Sequence, residues 1–329
     1  MKRITIKDIA RELGIHHSTV SRALRGNAKI NAATAEKVIK YASERGYLIN
    51  RNALHLRGTA SNIIGVVVPN IHHSFFSNFV SIITRLAYSS GYIVAVFQSE
   101  ESMVREEEII KSIIQQNIAG VLVSLSMETT TVSHLTQLDK YKIPLVCFDR
   151  VSPLLLKPAV VLDNRLALSR TVERLQVNGF SKIAYLSGIP SVHLFSERQE
   201  GYRQGVKAEG IQYENCVVMS NGFTVQQGYE ATMQLFGEKD KPDALIFDSH
   251  LLAWGAIQYM RTGKKKLLDK MAFASFGGYP WLSYAVPNSV MIQQPEEKMA
   301  EASFRLLMEE LANPGANEGQ ILKFDADLY

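Results

Sequence analysis

The chain has 329 residues and a mass of 36.8 kDa, a length typical of two or three domains. Apolar residues make up 46% and charged residues 21%, which excludes wholesale disorder. Two cysteines, Cys147 and Cys216, exclude a disulfide framework and favour a reducing compartment. Because the aliphatic runs are too short to span a bilayer and no secretory signal is recognised, we expect a cytoplasmic protein without a membrane partner.

Charge is unevenly distributed along the chain. Residues 1–57 carry 12 Lys/Arg and 4 Asp/Glu, a net charge of +8, whereas residues 58–329 carry 24 Lys/Arg and 28 Asp/Glu, a net charge of −4. A basic head on an acidic body is typical of a nucleic-acid-binding module joined to another domain. A solvated pair of basic helices would give the same charge, so charge alone leaves both interpretations open.

The head is predicted to contain three short helices. Thr5, with Asp8 three residues later, is a candidate N-cap for the first helix, Gly14 ends that helix, and Asn31 is the N-cap of the third. Two short helices joined by a glycine-containing turn and braced by a third predict a helix-turn-helix. The predicted buried faces are Ile6, Ile9, Ala10 and Leu13 in the first helix, Val20, Ala23 and Leu24 in the second, and Ala35, Val38, Ile39 and Ala42 in the third.

The outward face of the second helix carries hydrogen-bonding side chains, His17, Ser18, Thr19, Ser21 and Arg22. In a recognition helix such groups enter the major groove of DNA, where Arg pairs with a guanine edge and hydroxyls contact phosphates. A polar face that is only solvated has the same composition, so this helix alone does not decide between the two.

The segments TIKDIARELGIHHSTVSRALRG (5–26) and GYLINRNALHLRG (46–58) resemble the head and hinge of the lactose-repressor/galactose-repressor (LacI/GalR) family of bacterial transcription regulators. The family usually has Ser where this chain has His16, which puts one helix-capping contact in doubt. The resemblance implies base reading by His17, Ser18 and Arg22, and phosphate contacts by Thr19 and Ser21 and, as weaker candidates, Thr5 and Asn50.

Residues 50–61 are predicted to form a hinge helix and linker. A helix this short is unstable in water by itself. In the family the segment folds on operator DNA, pairs with its dimer mate and inserts a leucine into the minor groove. The resemblance places Leu56 at that position and Ala53 beside it, and such a wedge bends the duplex. Without the resemblance, Leu56 reads as a linker residue that packs on the body.

The body alternates short apolar runs with helical patterns. Helical patterns occupy residues 76–90, 104–116, 166–177, 198–208 and 296–311. Continuous aliphatic strands between helices predict parallel sheets covered on both faces, and eleven candidates are too many for one sheet. We therefore expect two α/β lobes. The strand candidates are 63–69, 92–97, 120–125, 144–148, 159–163, 182–187, 216–220, 244–248, 272–276, 290–292 and 321–324.

The body also resembles this family, and the type I periplasmic sugar-binding fold, in pieces such as IGVVVPNIHHSFFS, GFSKIAYLSG and IQQP. The resemblance implies three crossovers between the lobes, near Leu162, Ser289 and Leu322. The expected fold is an all-α helix-turn-helix head plus an α/β body of two doubly wound parallel-sheet lobes. The expected domains are a head (1–49), a hinge (50–61), an N-terminal lobe (62–161 and 290–320) and a C-terminal lobe (162–289 and 321–329).

Side chains that follow the strands are the candidates for a ligand site, because ligands of open α/β sheets bind beyond the carboxyl ends of the strands. Aromatic rings with a carboxylate and a guanidinium suit a polyhydroxylated ligand. The structural alternatives are core packing for Phe75 or Phe76, helix capping for Asp149, and a surface ion pair with Glu197 or Glu200 for Arg198, which is expected to open a helix. The resemblance favours a role in binding for Asp149 and Arg198 and, more weakly, for Phe75, Phe223 and Gln294. The predicted effector-binding residues are Phe75, Phe76, Asp149, Arg150, Arg198, Phe223, Asp248, His250, Gly277 and Gln294.

Two positions depart from the family pattern. The family commonly has Asp where this chain has His250, although Asp248 lies close by, and again where it has Gly277. We therefore expect an effector other than a plain neutral monosaccharide, because a phosphorylated or acidic sugar would suit His250 and Arg198 better.

Enzyme signatures are missing from the sequence, including G-x-G-x-x-G after the first strand, G-x-x-x-x-G-K-[ST], G-x-S-x-G and H-E-x-x-H. We predict no enzyme, no cofactor and no metal site, and we interpret His72 and His73 as loop histidines. The resemblance implies a homodimeric transcription regulator, in the first instance a repressor, that binds a near-palindromic double-stranded DNA operator and a small-molecule effector (a sugar, sugar phosphate or related compound). The alternatives are a sugar-binding sensor module without DNA binding and an unrelated α/β enzyme.

Overall fold

The computed structural model describes residues 4–24, 27, 29–47, 61–219, 223–262, 265–277 and 280–329. The chain divides into two compact units, Met1–Ala60 and Ser61–Tyr329, so the boundary falls at the end of the predicted linker. The predicted hinge contacts Asn50, Ala53 and Leu56 lie outside the described residues.

The head contains the three predicted helices, α1 (Ile6–Leu13), α2 (His17–Ala23) and α3 (Ala32–Glu44). A capping box begins α1: Asp8 N–H donates to Thr5 Oγ1 at 3.3 Å, and Thr5 N–H donates to Asp8 Oδ2 at 3.0 Å. Gly14 then adopts the left-handed conformation, φ 66°, which turns the chain into α2. The helix-turn-helix prediction is confirmed.

The core of the head is small, and two predictions about it are wrong. Ile9, Val20 and Val38 are completely buried at its centre. Ile39 is 52% exposed, because α3 packs through Val38 and Ile39 lies about 100° further round the helix. Ser21, predicted to face outward, is only 6% exposed, because α2 packs against both α1 and α3, which widens its buried side.

The first sheet of the body contains six parallel strands: β1 (Ile63–Val68), β2 (Ile93–Gln98), β3 (Gly120–Val123), β4 (Leu145–Phe148), β5 (Ala159–Leu162) and β11 (Ile321–Phe324). Their order is β11-β5-β4-β3-β1-β2. Strands β1, β3, β4 and β5 are almost entirely buried, as expected for strands covered on both faces. The accompanying helices are α4 (Ser74–Ser89), α5 (Met103–Gln115), α6 (Ser133–Lys140) and α13 (Glu296–Ala312).

The second sheet contains β6 (Lys182–Ser187), β7 (Tyr213–Val218), β8 (Ala244–Phe247), β9 (Ala272–Phe276), β10 (Asn288–Gln293) and β12 (Asp327–Leu328), in the order β12-β10-β9-β8-β6-β7. Only β12 is antiparallel to its neighbour. All eleven strand candidates form strands; β12, with two residues, is too short to give a pattern. The helices of this lobe are α7 (Asn164–Val177), α8 (His193–Ala208), α9 (Val225–Gly237), α10 (His250–Arg261), α11 (Lys265–Leu268) and α12 (Trp281–Ala285).

The chain crosses between the sheets after β5, as predicted near Leu162, but the other two crossovers lie further along than predicted. Strand β10 remains paired with β9 as far as Ile292, so the second crossover falls at 294–295 rather than near Ser289. Strand β11 pairs with β5 through Phe324, so the third falls at 325–326 rather than near Leu322. Residues 290–293 therefore belong to the second sheet and residues 321–324 to the first.

The helices on the second sheet pack in two close pairs, which we call the glycine seams. A Cβ atom on Gly228 of α9 would lie 2.2 Å from the carbonyl oxygen of Leu252 in α10, and one on Gly255 would lie 2.0 Å from that of Val225. On the opposite face, a Cβ atom on Gly201 of α8 would lie 2.3 Å from the carbonyl oxygen of Arg165 in α7. The helix backbones are therefore in direct contact, which only glycine allows.

Candidate functional site

The start of α2 is capped in an unusual way. His16 is the N-cap, and its Nδ1 accepts a hydrogen bond from Ser18 N–H at 3.3 Å. Ser18 Oγ lies 2.8 Å from the same nitrogen and, because Nδ1 is already the acceptor for the N–H, the hydroxyl donates as well. The imidazole therefore supplies the capping contact that the absence of serine had put in doubt.

The polar side chains of α2 differ in exposure. His17 and Arg22 are exposed, whereas Ser18 and Thr19 are half-buried. Ser18 and Arg22 are one turn apart and share a face. Outside α2, Thr5 is exposed, but its hydroxyl donates to Asp8 Oδ2 at 2.6 Å. The surface thus presents an imidazole and a guanidinium in the open and two hydroxyls beside them.

A cleft lies between the carboxyl ends of the two sheets. Its inner pocket, about 30 Å³, is lined by residues of both lobes, among them Phe76, Asp149, Arg198 and Asp248. An adjoining chamber of about 230 Å³ shares Phe76 and extends to Met127. All ten predicted effector residues meet here: Phe75, Phe76, Asp149, Arg150, Arg198, Phe223, Asp248 and His250 line the two cavities, Gly277 abuts His250, and Gln294 bonds Asp149.

Arg198 is buried and held on several sides. It lies in the second turn of α8 rather than at its start, and a surface pair with Glu197 or Glu200 is wrong because Arg198 is only 3% exposed. Its Nη1 donates to Asp248 Oδ1 at 2.9 Å and its Nε donates to Asn164 Oδ1 at 2.8 Å. The guanidinium carbon lies 3.3 Å from the ring centroid of Phe276, a stacking contact that fixes the plane of the group.

Asp248 anchors this arginine with both of its oxygens. Besides Arg198, Oδ1 accepts from Tyr185 Oη at 2.7 Å, and Oδ2 accepts from Ser187 Oγ at 3.1 Å and Gly188 N–H at 2.8 Å. Burial raises the pKa of the Tyr185 phenol well above its ordinary value, so this group stays a donor. With four donors already on it, the Asp248 carboxylate positions Arg198 rather than offering a free oxygen to a ligand.

Asp149 and Arg150 follow β4. Asp149 lies in the connection to β5, so the alternative of helix capping is wrong, and its φ of 56° is rare for a residue with a side chain. Its Oδ1 accepts from Gln294 Nε2 at 2.9 Å. Burial raises the pKa of the Asp149 carboxyl, although the neighbouring guanidinium groups of Arg150 and Arg198 oppose that rise.

Arg150 is paired with a residue that the sequence analysis missed. Its Nη1 donates to both carboxylate oxygens of Glu101, at 2.9 and 2.6 Å. Glu101 comes just after β2, so the rule that selected residues following strands would have found it. Phe195, which lines the inner pocket and meets Phe223 edge-on at 5.4 Å, lies within α8 and carried no such signal.

Burial disfavours the protonated form of two cleft histidines, His73 and His250. A Cβ atom on Gly277, whose φ is 69°, would lie 3.2 Å from His250 Nδ1, so this imidazole occupies the space beside Gly277. Burial lowers the pKa of His250. Burial, with His250, Arg150 and Arg198 nearby, lowers the pKa of His73 to about 3. His73 lies in the loop just before α4, as predicted, but it packs against Phe76 and His250 rather than standing free in that loop.

A helix-turn-helix head joined to a two-lobed body with a polar cleft defines a ligand-responsive DNA-binding regulator. Residues 5–50 match the family described as bacterial regulatory proteins, lacI family, and residues 61–311 match periplasmic binding proteins and sugar binding domain of LacI family. The chain belongs to the LacI family of DNA-binding transcription regulators.

Known proteins resemble the chain along nearly its whole length. It is 27% identical over 318 residues to the HTH-type transcriptional repressor CytR of Escherichia coli (strain K12), covering 97% of this chain and 93% of that protein. It is 24% identical to catabolite control protein A of Priestia megaterium, covering 92% and 91%. The structure of the Lac repressor dimer bound to operator and the anti-inducer ONPF shares its fold, with a TM-score of 0.83, 21% identity and coverage of 99% and 98%.

These relatives are transcription regulators rather than enzymes. Among the residues that the structure describes, no helix combines the length and apolar character that crossing a membrane requires.

Proposed function

We propose that this protein is a homodimeric repressor that binds a near-palindromic double-stranded DNA operator and whose operator affinity is set by a small-molecule effector held between the two lobes. The observation that carries the proposal is a basic helix-turn-helix head in one chain with a buried cleft that both lobes line. The effector is bound and released unchanged, and the protein works in the cytoplasm, where operator DNA lies.

On the DNA side, His17, Ser18 and Arg22 are proposed to read base edges from α2, with one head in each half-site of the operator. Thr19 remains a candidate for a phosphate contact, and Thr5 can take that role only if its hydroxyl turns away from Asp8. The burial of Ser21 argues against a direct phosphate contact there. Asn50, Ala53 and Leu56 keep the roles that the family resemblance implies.

On the effector side, the cleft favours an uncharged polyhydroxylated molecule. Each arginine is already paired with a carboxylate, Arg150 with Glu101 and Arg198 with Asp248, and burial lowers the pKa of His250 and so disfavours a positive charge there. These pairings leave no excess positive charge among the described cleft residues and so argue against the acidic or phosphorylated sugar that the sequence predicts. Carboxylate and guanidinium groups together suit hydroxyls that both donate and accept, and the phenylalanine rings suit the apolar face of a sugar.

Effector and operator binding must influence each other reciprocally if the effector favours one arrangement of the lobes and the operator another. Whether the effector weakens or strengthens DNA binding depends on whether effector and operator favour different arrangements of the lobes or the same one.

Selection from random oligonucleotides with the full chain, followed by gel-shift titration over a range of salt concentrations, tests the DNA-binding role. We expect an enriched site with two related halves, and an affinity that falls steeply with salt because phosphate contacts release counterions. A pool without enrichment would instead favour a sensor module that does not bind DNA.

Calorimetry with matched pairs of ligands, each a neutral sugar and its phosphate, tests the effector class. We expect binding of a neutral member and weaker binding of its phosphate. Preference for the phosphate would restore the acidic-effector interpretation, and chemical conversion of any ligand would restore the enzyme alternative.

A further inference from the structure

Two histidines meet across the cleft, one from each lobe. His73 is the N-cap residue of α4 in the first lobe, and His250 is the first residue of α10 in the second. Their ring centroids are 5.4 Å apart with an interplanar angle of 61°. The Nδ1 atom of each ring is buried and has no hydrogen-bond partner among the described residues. At this point the two lobes are therefore in contact through two imidazoles.

Gly277 lets this contact form. The position that a Cβ atom would take there is 3.2 Å from His250 Nδ1 and 3.8 Å from Ser74 Oγ of the first lobe. A side chain at 277 would have to displace the His250 ring or separate the lobes. Glycine therefore leaves room for the imidazole to reach the opposite lobe.

The charged groups that surround the pair disfavour a proton on it. Arg150, after β4, and Arg198, on α8, both act on His73 as positive charges. The carboxylates of the cleft are engaged elsewhere: Glu101 with Arg150, Asp248 with Arg198, and Asp149 with Gln294. In addition, both histidines stand at helix N-termini, where the backbone dipole is unfavourable to a cation.

We propose that His73 and His250 are positioning residues for the cleft, which hold the two lobes closed as a neutral pair and open them when either ring gains a proton. This inference goes beyond the proposed function, because it makes the closure of the lobes respond to acidity without any effector. A proton on His73 would place a positive charge opposite Arg198 of the other lobe, and repulsion between these like charges favours opening.

The direction of the pH response follows from the two states. In the closed form the pKa of His73 is lowered to about 3 from its ordinary value of 6.5, whereas an open cleft exposes the ring to water. Neutral histidine therefore stabilises closure above about pH 6.5, and that stabilisation is lost as the pH falls. Between pH 7.5 and 5.5 the ratio of closed to open protein should fall about tenfold through His73 alone.

Energy transfer between dyes on the two lobes measures closure directly. Thr130, in the loop after β3, and Ser191, in the loop before α8, are exposed and lie on opposite lobes. The full chain with Cys216→Ser, Thr130→Cys and Ser191→Cys would carry the dyes, since Cys147 is buried. Dilution of the labelled chain with excess unlabelled chain keeps each pair within one protomer, and far-UV circular dichroism at every pH confirms that the protein remains folded.

We expect transfer efficiency to fall reversibly as the pH is lowered from 7.5 to 4.5, and to stay flat in the His73→Asn/His250→Asn double variant. His72→Asn, at an exposed neighbour of the pair, should behave like the parent protein. If the double variant fails to fold, the single variant His73→Asn should lose the tenfold response. A folded parent protein with unchanged efficiency, or histidine variants with the parent's pH profile, would overturn the proposal. Neither outcome involves DNA or effector, so the proposed function would be unaffected.

Discussion

Replacing Asp248 by alanine tests whether the buried charge network supports the second lobe. The side chains of Arg198 and Asp248 are 4% and 0% exposed, so the Asp248→Ala change leaves a guanidinium without its counter-ion inside the protein. It also orphans the donors of Tyr185, Ser187 and Gly188. Breaking a buried pair in this way lowers the free energy of unfolding by about 3–5 kcal/mol. The three donors left without an acceptor belong to the same network, so we add no separate loss for them.

Urea unfolding followed by circular dichroism would measure this loss, with thermal unfolding as a second readout. At roughly 2–4 °C for each kcal/mol in a domain of this size, the melting temperature should fall by about 10 °C. The matched control is Glu297→Ala. Glu297 pairs with Arg85 at 3.0 Å on the surface, where the side chains of Arg85 and Glu297 are 61% and 66% exposed. This substitution should lower the free energy of unfolding by no more than about 1 kcal/mol.

A second substitution separates charge burial from lost packing. Adding Arg198→Met to Asp248→Ala removes the unpaired cation, so much of the stability should return although effector binding should not. If Asp248→Ala is as mild as Glu297→Ala, or if Arg198→Met restores nothing, the argument that the pair acts through its buried charges is wrong.

Three further substitutions probe other parts of the molecule. Arg22→Ala should weaken specific operator binding by about 1–3 kcal/mol and relax the sequence preference, whereas Lys37→Ala on α3 should leave the preference intact; competitive gel shifts distinguish the two. Asp149→Asn should abolish effector binding in calorimetry yet stabilise the fold. The pKa of the buried Asp149 carboxyl is raised, so the parent protein loses stability as the pH rises through that pKa and the carboxyl ionises, whereas asparagine does not ionise. Urea titrations should show the gain in the free energy of unfolding at pH 7.5 and not at pH 4. Gly255→Ala should cost on the order of 3 kcal/mol or more in thermal unfolding, because its new Cβ would lie 2.0 Å from a carbonyl oxygen, whereas Gly237→Ala, with open space around it, should change little; equal effects would contradict the seam geometry.

Much of the architecture could be predicted from local pattern. Aliphatic runs such as IIGVVV are buried on both faces in the structure, so they give a strong signal for a covered parallel strand. The capping box of Thr5 and Asp8 is equally local. The crossovers after β10 and β11 could not be placed, because the sheet that each strand joins depends on pairing with residues far away in sequence, as between Leu322 and Val160.

Most members of the cleft could be predicted from the sequence, but their roles could not. The strand-end rule found Asp149, Arg150 and Asp248, yet it could not show that Asp248 is saturated by Tyr185 and its neighbours. His73 was missed as a cleft residue because its burial depends on His250, which is distant in sequence and lies in the other lobe. Ser21 was misplaced because its burial arises from the packing of α2 against two other helices, which the pattern of α2 alone does not show.

Stiffness in the second lobe follows from its glycine seams. Where two helices touch backbone to backbone, few side chains lie between them to repack, so the pair resists sliding. When Arg198 moves together with α8, α7 should move by the same amount, because Gly201 holds the two backbones in contact. Helix α7 is the first helix after β5. A ligand that binds and displaces this arginine should therefore rotate the second lobe as a rigid body about the three crossovers. Local rearrangement within the lobe should be small.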